Sequence, residues 1–218
     1  MALIANKHRG VRILRVDGGG SLAKAKGVVA AYPTIWSGTI LDAGCRDQAL
    51  RQALDEHPVD YVGLDINPPA DVLADLDDGI PMADGEADVV VALDVLEHTN
   101  AIHFAFHEVC RVARQHVVVA LPNQYELHDR WQTLCGRNRS GKFGLPLDPP
   151  SDRHRWLFGF DEARTFCRHR ARAAGWRVVD EAVMIGPRRR VIWPLVRFWP
   201  ALLAPDLVTH LVPRSARS

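Results

Sequence analysis

The sequence predicts a doubly wound, mostly parallel α/β sheet of about seven strands in three layers, the architecture that alternating strand and helix patterns produce. Three observations carry that prediction. Short β-prone runs alternate with segments of helical periodicity from Thr39 to Leu121, and right-handed crossovers turn such alternation into a parallel sheet. Two of the runs, Ala87–Leu93 and His116–Leu121, are almost continuously apolar, as strands covered on both faces are. Successive runs end on acids, at Asp42, Asp65 and Asp94. In an open parallel sheet a ligand lies outside the carboxyl ends of the strands where their order reverses, so acids placed there are placed to meet it.

The elements follow in order. Ser21 to Ala31 has helix-forming content behind a Gly18-Gly19-Gly20 turn, with Ser21 able to cap it. Thr39-Ile40-Leu41 is a short strand stopped by Ala43-Gly44, and Asp47 to Glu56 sets Ala49, Leu50, Ala53 and Leu54 on one helical face. Tyr61 to Ile66 is the next strand, ended by Asn67-Pro68-Pro69, because proline cannot continue a central ladder. Val72-Leu73-Ala74 is a candidate third strand, and Ala87–Leu93 marks the centre of the sheet. Beyond Asn100, Ile102, Phe106, Val109 and Val112 recur at helical spacing, and His116–Leu121 forms a strand that stops at Pro122. Asp161 is expected to cap a helix running to about Ala174, and Trp176 to Ile185 alternates in part like a strand. The chain thus divides into an N-terminal helical extension (1–38), a main domain (39–186) with a lid-like insertion (123–158), and a basic, tryptophan-rich C-terminal extension (187–218). A long loop of the inserted kind is usually a functional lid or disordered.

Composition narrows the function classes. At 218 residues, 47% hydrophobic and 24% charged, the chain has the makings of one domain with a full core. The first ten residues lack the apolar run of a secretory signal, and no stretch reaches the roughly 18 apolar residues of a membrane span. A cytoplasmic location is expected. Cys45, Cys110, Cys135 and Cys167 are far apart and show no paired metal spacing, which suits reduced thiols. His103 and His107 stand four apart on a helix, but with Phe104 and Phe106 between them they read as packing contacts; no metal is expected. The net charge of +1 hides an asymmetry: residues 1–110 hold 8 Lys and Arg against 17 Asp and Glu, residues 111–218 hold 19 against 9. An acidic first half suits a cationic cofactor and a basic second half an anionic substrate, although mutual attraction and solubility account for the same asymmetry.

Leu41-Asp-Ala-Gly-Cys-Arg-Asp47, Gly63-Leu-Asp65 and Asp94-Val-Leu-Glu-His98, in that order and spacing, resemble the signature blocks of class I S-adenosylmethionine-dependent methyltransferases, most of all the type 11 group. The resemblance covers about Thr39 to Asn123 and implies a Rossmann-like methyltransferase fold with S-adenosylmethionine as cofactor. It implies that Asp42 and Gly44 meet the methionine end, Asp42 ordering its ammonium group. It implies that Asp65 accepts hydrogen bonds from the ribose hydroxyls, with Ile66 beside it, that Asp75 and Leu76 border the adenine, and that Leu93 and Asp94 lie beside the sulfonium. Acceptor-only carboxylates suit hydroxyl donors and a cation. The family's first block usually carries three alternate glycines, whereas Arg46 and Gln48 stand where the second and third belong. That departure counts against a dinucleotide, whose pyrophosphate needs close backbone approach at a helix start, more than against S-adenosylmethionine, which has no phosphate.

Methyl transfer from a sulfonium asks the protein to position the acceptor and remove its proton. His98 is the candidate base, since histidine titrates near neutral pH and this one follows the strand facing the sulfonium; ordinary packing at a helix start is the competing role. Lys142, Arg153, His154, Arg155 and Trp156 combine cations with aromatics suited to clamping a sugar, phosphate or carboxylate, or else form a solvated loop. The expected activity is methyl transfer to a small-molecule or lipid- or saccharide-linked acceptor, at oxygen. The alternatives are an RNA methyltransferase, supported only by the basic second half with no RNA-binding module beside it, and a non-catalytic cofactor-binding or regulatory protein of the same fold. Nucleic acid is accordingly not the expected partner. Trp193 and Trp199 with Arg188 to Arg190 are expected to pack on the domain or in a homodimer, with peripheral contact to the inner face of a membrane as the alternative.

Overall fold

The computed structural model describes residues 11–137, 147–148, 153–187 and 193–214. The elements are β1 (Val11–Arg15), α1 (Ser21–Ala31), β2 (Gly38–Ala43), α2 (Ala49–Ala53), β3 (Val59–Asp65), β4 (Val72–Leu73) and β5 (Ala87–Leu93), then a 3-10 turn (Leu96–His98). After these come α3 (Ile102–Val112), β6 (Ala113–Pro122), α4 (Leu127–Leu134), α5 (Phe160–Ala173), β7 (Trp176–Ile185), α6 (Trp193–Val196), α7 (Pro200–Leu203) and β8 (Asp206–Pro213). The strands form one sheet in the order β1-β7-β8-β6-β5-β2-β3-β4. Every pairing is parallel except the two made by β8, with β6 and with β7. The order reverses at β2: β3 and β4 build outward on one side, β5 and β6 on the other.

Alternation along the strands divides the core between two faces. Val90 and Ala92 of β5, with Leu41 and Val117, pack under α3 and α5 against Ala105, Phe106, Val109, Phe160 and Cys167. Val89 and Val91, with Ile40, Val118 and Val208, pack under α1 and α2 against Ala25, Val28, Val29 and Leu50. The nearly unbroken apolar sequence of β5 is the consequence of serving both layers. No helix among the described residues is long and apolar enough to cross a membrane.

The sheet has eight described strands rather than about seven, and two of them lie outside the expected core. β1, with arginines at both Arg12 and Arg15, joins the edge beside β7, so the N-terminal extension is not wholly helical. β8 sits between β6 and β7, which makes the C-terminal stretch a structural member of the sheet. A basic, tryptophan-rich segment directly before it masked a strand that reads Leu-Val-Thr-His-Leu-Val. The insertion contains α4, a helix with no buried residue. The N-cap of α5 is Gly159 rather than Asp161; Glu162 reaches back to accept the Gly159 N–H at 2.8 Å.

One buried ion pair anchors α5 to β7. Glu181 is 4% exposed and accepts from Arg164 Nε at 2.7 Å and from Arg168 Nε at 2.6 Å. Removing one partner of a buried pair is costly, whereas an apolar replacement of both often is not. Glu181→Leu is expected to lower unfolding stability by about 3 kcal/mol, and Arg164→Leu combined with it to recover much of the loss, measured by urea unfolding.

Candidate functional site

Because β2 pairs with both β3 and β5 while the chain leaves in opposite directions, no backbone fills the gap beyond their carboxyl ends. A cleft of about 460 Å3 opens there. Register brings the strand ends level: Asp42 lies beside Gly63 of β3 and Val91 of β5, and Leu93 beside Ala120 of β6. The loop after β2 is hooked onto the next strand, with the N–H groups of Gly44 and Cys45 donating to the Leu64 carbonyl at 2.7 and 3.0 Å. Asp65 fastens the loop further on. One of its oxygens accepts the Arg46 N–H at 2.9 Å and the other the Asn67 N–H at 3.0 Å, leaving lone pairs on both for a ligand.

Three non-glycine residues around this cleft have left-handed backbone: Arg46 (φ 44), Gln48 (φ 54) and Asp94 (φ 51). The first two are the positions where the sequence lacks glycines, so the loop keeps the conformation glycine would supply and bears the strain of doing so. Gly44 is not replaceable in this way. At its φ of +82 an added Cβ would stand 2.3 Å from Val95 Cγ2.

The electrostatics are dominated by carboxylates. Asp42 is 4% exposed and accepts the Tyr61 hydroxyl at 2.6 Å. Burial pushes its carboxyl up to about 7; the Tyr61 hydrogen bond opposes the rise, while Asp47 and Asp65 add to it. At the end of β5, Asp94 accepts Lys24 Nζ at 2.6 and 2.5 Å, and Lys24 also meets Asp206 of β8 at 3.2 Å. Burial alone would drive the proton from Lys24, but Asp206 and Asp94 outweigh it and hold the ammonium charged well above its ordinary range. Burial likewise raises Asp206, with Lys24 opposing. One ammonium thus faces two carboxylates and stitches α1, β5 and β8 together at the cleft wall. His98 lies across the cleft, its Nδ1 3.1 Å from the Arg153 carbonyl.

All nine residues singled out in the sequence, Asp42, Gly44, Asp65, Ile66, Asp75, Leu76, Leu93, Asp94 and His98, line this one cleft. Of the expected acceptor clamp, Arg155 lines it too. Trp156 donates through Nε1 to the Thr99 carbonyl at 2.9 Å, and His154 stands edge-on to His98; Lys142 and Arg188 to Arg190 lie outside the described residues. His103 packs against Phe166 and Trp156 rather than converging with His107. Sequence reasoning missed Lys24, which reaches Asp94 across 70 positions with no local signal. It also missed Asp77, whose carboxylate accepts the N–H groups of Asn100 and Ala101 at 2.8 Å each and so braces the turn below His98.

Residues 41–121 match the family described as "Methyltransferase domain". The chain carries a class I S-adenosylmethionine-dependent methyltransferase domain. Among solved structures, this methyltransferase is similar to a SAM-dependent methyltransferase from Archaeoglobus fulgidus, at 14% identity and a TM-score of 0.60, covering 89% of this chain and 95% of that one. The magnesium protoporphyrin IX methyltransferase of Synechocystis with bound SAH is similar at 14% identity and a TM-score of 0.55, covering 89% and 81%. The small RNA methyltransferase HEN1 is similar at 12% identity and 0.61, covering 89% of this chain and 25% of that one. At such identities these likenesses establish the fold. Comparison with curated proteins finds no match.

The methyltransferase's cleft fits its cofactor. Its volume lies in the usual range for small-molecule sites, about 300–1,000 Å3, and its donor set is acidic, which suits a cationic sulfonium and ammonium and the hydroxyls of a ribose. Nothing in the loop offers a pyrophosphate the run of glycines it needs.

Arg46→Gly and Gln48→Gly release left-handed strain and are each expected to leave stability unchanged or raise it by up to about 1 kcal/mol, whereas Gly44→Ala lowers it; thermal unfolding of the three variants checks this. Because Asp42 in the folded protein titrates near 7, the folded state holds a proton that the unfolded chain has released above about pH 4. Stability is therefore expected to fall as pH rises from about 4 to about 7. Asp42→Asn removes this slope, and urea unfolding at pH 5 and pH 8 would reveal equal losses in both proteins if the assignment were wrong.

Proposed function

We propose that the protein transfers a methyl group from S-adenosylmethionine to an oxygen of a small-molecule or lipid- or saccharide-linked acceptor. In this reading Asp65 receives the ribose hydroxyls through its remaining lone pairs. Ile66, an apolar side chain 61% exposed at the rim, borders the adenine with Asp75 and Leu76. Gly44 and Asp42 take the methionine end, and Leu93 and Asp94 the sulfonium. The cofactor, when bound, supplies a strongly electrophilic methyl group. The chain's own residues then hold the acceptor in line and take its proton, for which His98 Nε2 is the candidate atom.

The observation that carries the choice of acceptor is a second cavity, about 650 Å3, that shares Lys24 with the cofactor cleft. It lies at the same edge of the sheet and is lined by Val16, Ala23, Met184, Pro187 and Pro205 with Gly18 to Gly20. A half-open, largely apolar, glycine-floored recess suits a compact acceptor with an apolar body, and among the described residues its lining shows no basic track of the kind RNA requires. Leu195, Phe198 and Trp199 are 46%, 44% and 39% exposed next to Arg197, which supports delivery of a lipid-linked acceptor from a membrane surface.

Methyl transfer from labelled S-adenosylmethionine to a panel of phenols, carboxylic acids, saccharides and lipid-linked saccharides tests the reading. Transfer to bulk RNA, with the steep salt dependence of phosphate contacts, would displace it. Asp65→Ala is expected to weaken S-adenosylhomocysteine binding at least about tenfold, given the strength of hydrogen bonds to a charged acceptor. Affinity for S-adenosylmethionine is expected to rise with pH through about 7, as Asp42 loses its proton; both are measured by calorimetry.

A further inference from the structure

The 3-10 turn after β5 sets a buried carboxylate beside the histidine that faces the cleft. Glu97 is 1% exposed, and its Oε1 lies 3.8 Å from His98 Nε2 and 3.9 Å from His154 Nε2. The two imidazoles meet edge to face with their centroids 4.5 Å apart. Their neighbours decide where the ring protons sit. The Arg153 carbonyl, 3.1 Å from His98 Nδ1, can only accept, so Nδ1 carries a hydrogen and the neutral ring keeps its lone pair on Nε2.

For His154 the order is reversed. Gln124 Oε1 accepts the Phe158 N–H at 2.8 Å, which turns the amide nitrogen toward His154 Nδ1, also at 2.8 Å. That nitrogen can only donate, so His154 Nδ1 accepts and Nε2 carries the hydrogen. Glu97 therefore faces a permanent N–H on His154 and, on His98, a nitrogen that bears a hydrogen only when His98 is protonated. The three ligand atoms lie within 4.8 Å of one another, close enough for a metal ion, but a His154 Nε2 that holds its hydrogen has no lone pair to offer one.

We propose that Glu97 is a positioning residue that strengthens His98 as a base. The proposal rests on the reading of His98 as the group that takes the acceptor's proton. A carboxylate in a dry setting at this range favours the imidazolium over the neutral ring, so a proton arriving at Nε2 is held more firmly. His154 Nε2 approaches the same oxygen, Oε1, at 3.9 Å and shares its charge. The same segment is locked in register with the turn, because the Glu97 carbonyl accepts the N–H groups of Arg155 at 2.8 Å and Trp156 at 3.3 Å. The Arg153 carbonyl, His154 and Glu97 thus reach His98 as one unit. The other charged groups bordering His98 in the cleft include Asp77, Asp94 and Arg155, and all three are retained in a Glu97→Gln variant.

The direct test is an NMR titration of the His98 imidazole in the full chain without cofactor. Glu97→Gln is expected to lower its midpoint by about one pH unit or more. His154→Ala, which removes the N–H that shares the carboxylate's charge, is expected to raise it. A midpoint that stays put in Glu97→Gln, or falls in His154→Ala, overturns the proposal. So does tight stoichiometric binding of zinc to the wild type that is lost in His154→Ala, because it would make His154 a ligand rather than an N–H donor. The reading of His98 as a base is tested separately: a His98→Gln enzyme with undiminished methyl transfer removes that reading while the titration result stands by itself.

Discussion

The carboxyl edge of the sheet is governed by one constraint: β2 is hydrogen-bonded to neighbours on both sides, and the chain leaves them in opposite directions. A gap at that point is unavoidable. The chain lines it with acids, Asp42, Asp47, Asp65, Asp75, Asp77 and Asp94, set among apolar groups such as Ile66, Leu76 and Leu93. Asp42 illustrates the cost, since burial holds a carboxylate 4% exposed near a pKa of about 7. In the proposed reading a cationic cofactor would offset that penalty, so the arrangement that burdens stability would favour binding.

The wall of the cleft meets a similar demand internally. Lys24, from a helix that precedes the matched family region, is buried between Asp94 and Asp206. It ties together strands that the topology places on opposite sides of β6. One ammonium there stands against two carboxylates. The loop opposite shows that backbone conformation outlasts the residues that usually produce it. Arg46 and Gln48 hold left-handed geometry, with Asp65 accepting the Arg46 N–H and the Cys45 and Pro69 carbonyls accepting the Gln48 N–H and side-chain amide.

What was legible in the sequence was whatever repeats at a local period. β5 and the helix Ser21–Ala31 stand at their expected bounds, the first because an unbroken apolar run has few alternatives and the second because a glycine turn and a proline bracket it. The strand-end acids were legible because spacing along a parallel sheet converts directly into shared position. The missed parts depend on contacts remote in sequence. β8 is a central strand only because β6 and β7 leave a place for it, and Lys24 matters only because the fold carries it to Asp94. α4 shows a further limit: Leu127, Trp131 and Leu134 are spaced for a helix, but a loop rich in polar residues surrounds them and none is buried.

The central claim is that carboxylates at adjacent strand ends hold a nucleoside bearing a positive sulfur. A crystal structure of the protein grown with S-adenosylhomocysteine addresses it most directly. The account predicts density for the ribose within hydrogen-bonding distance of Asp65, adenine beside Ile66 and Leu76, and the amino acid end against Gly44. Density lying in the neighbouring cavity, or a cleft closed by protein with no nucleoside in it, would contradict the account.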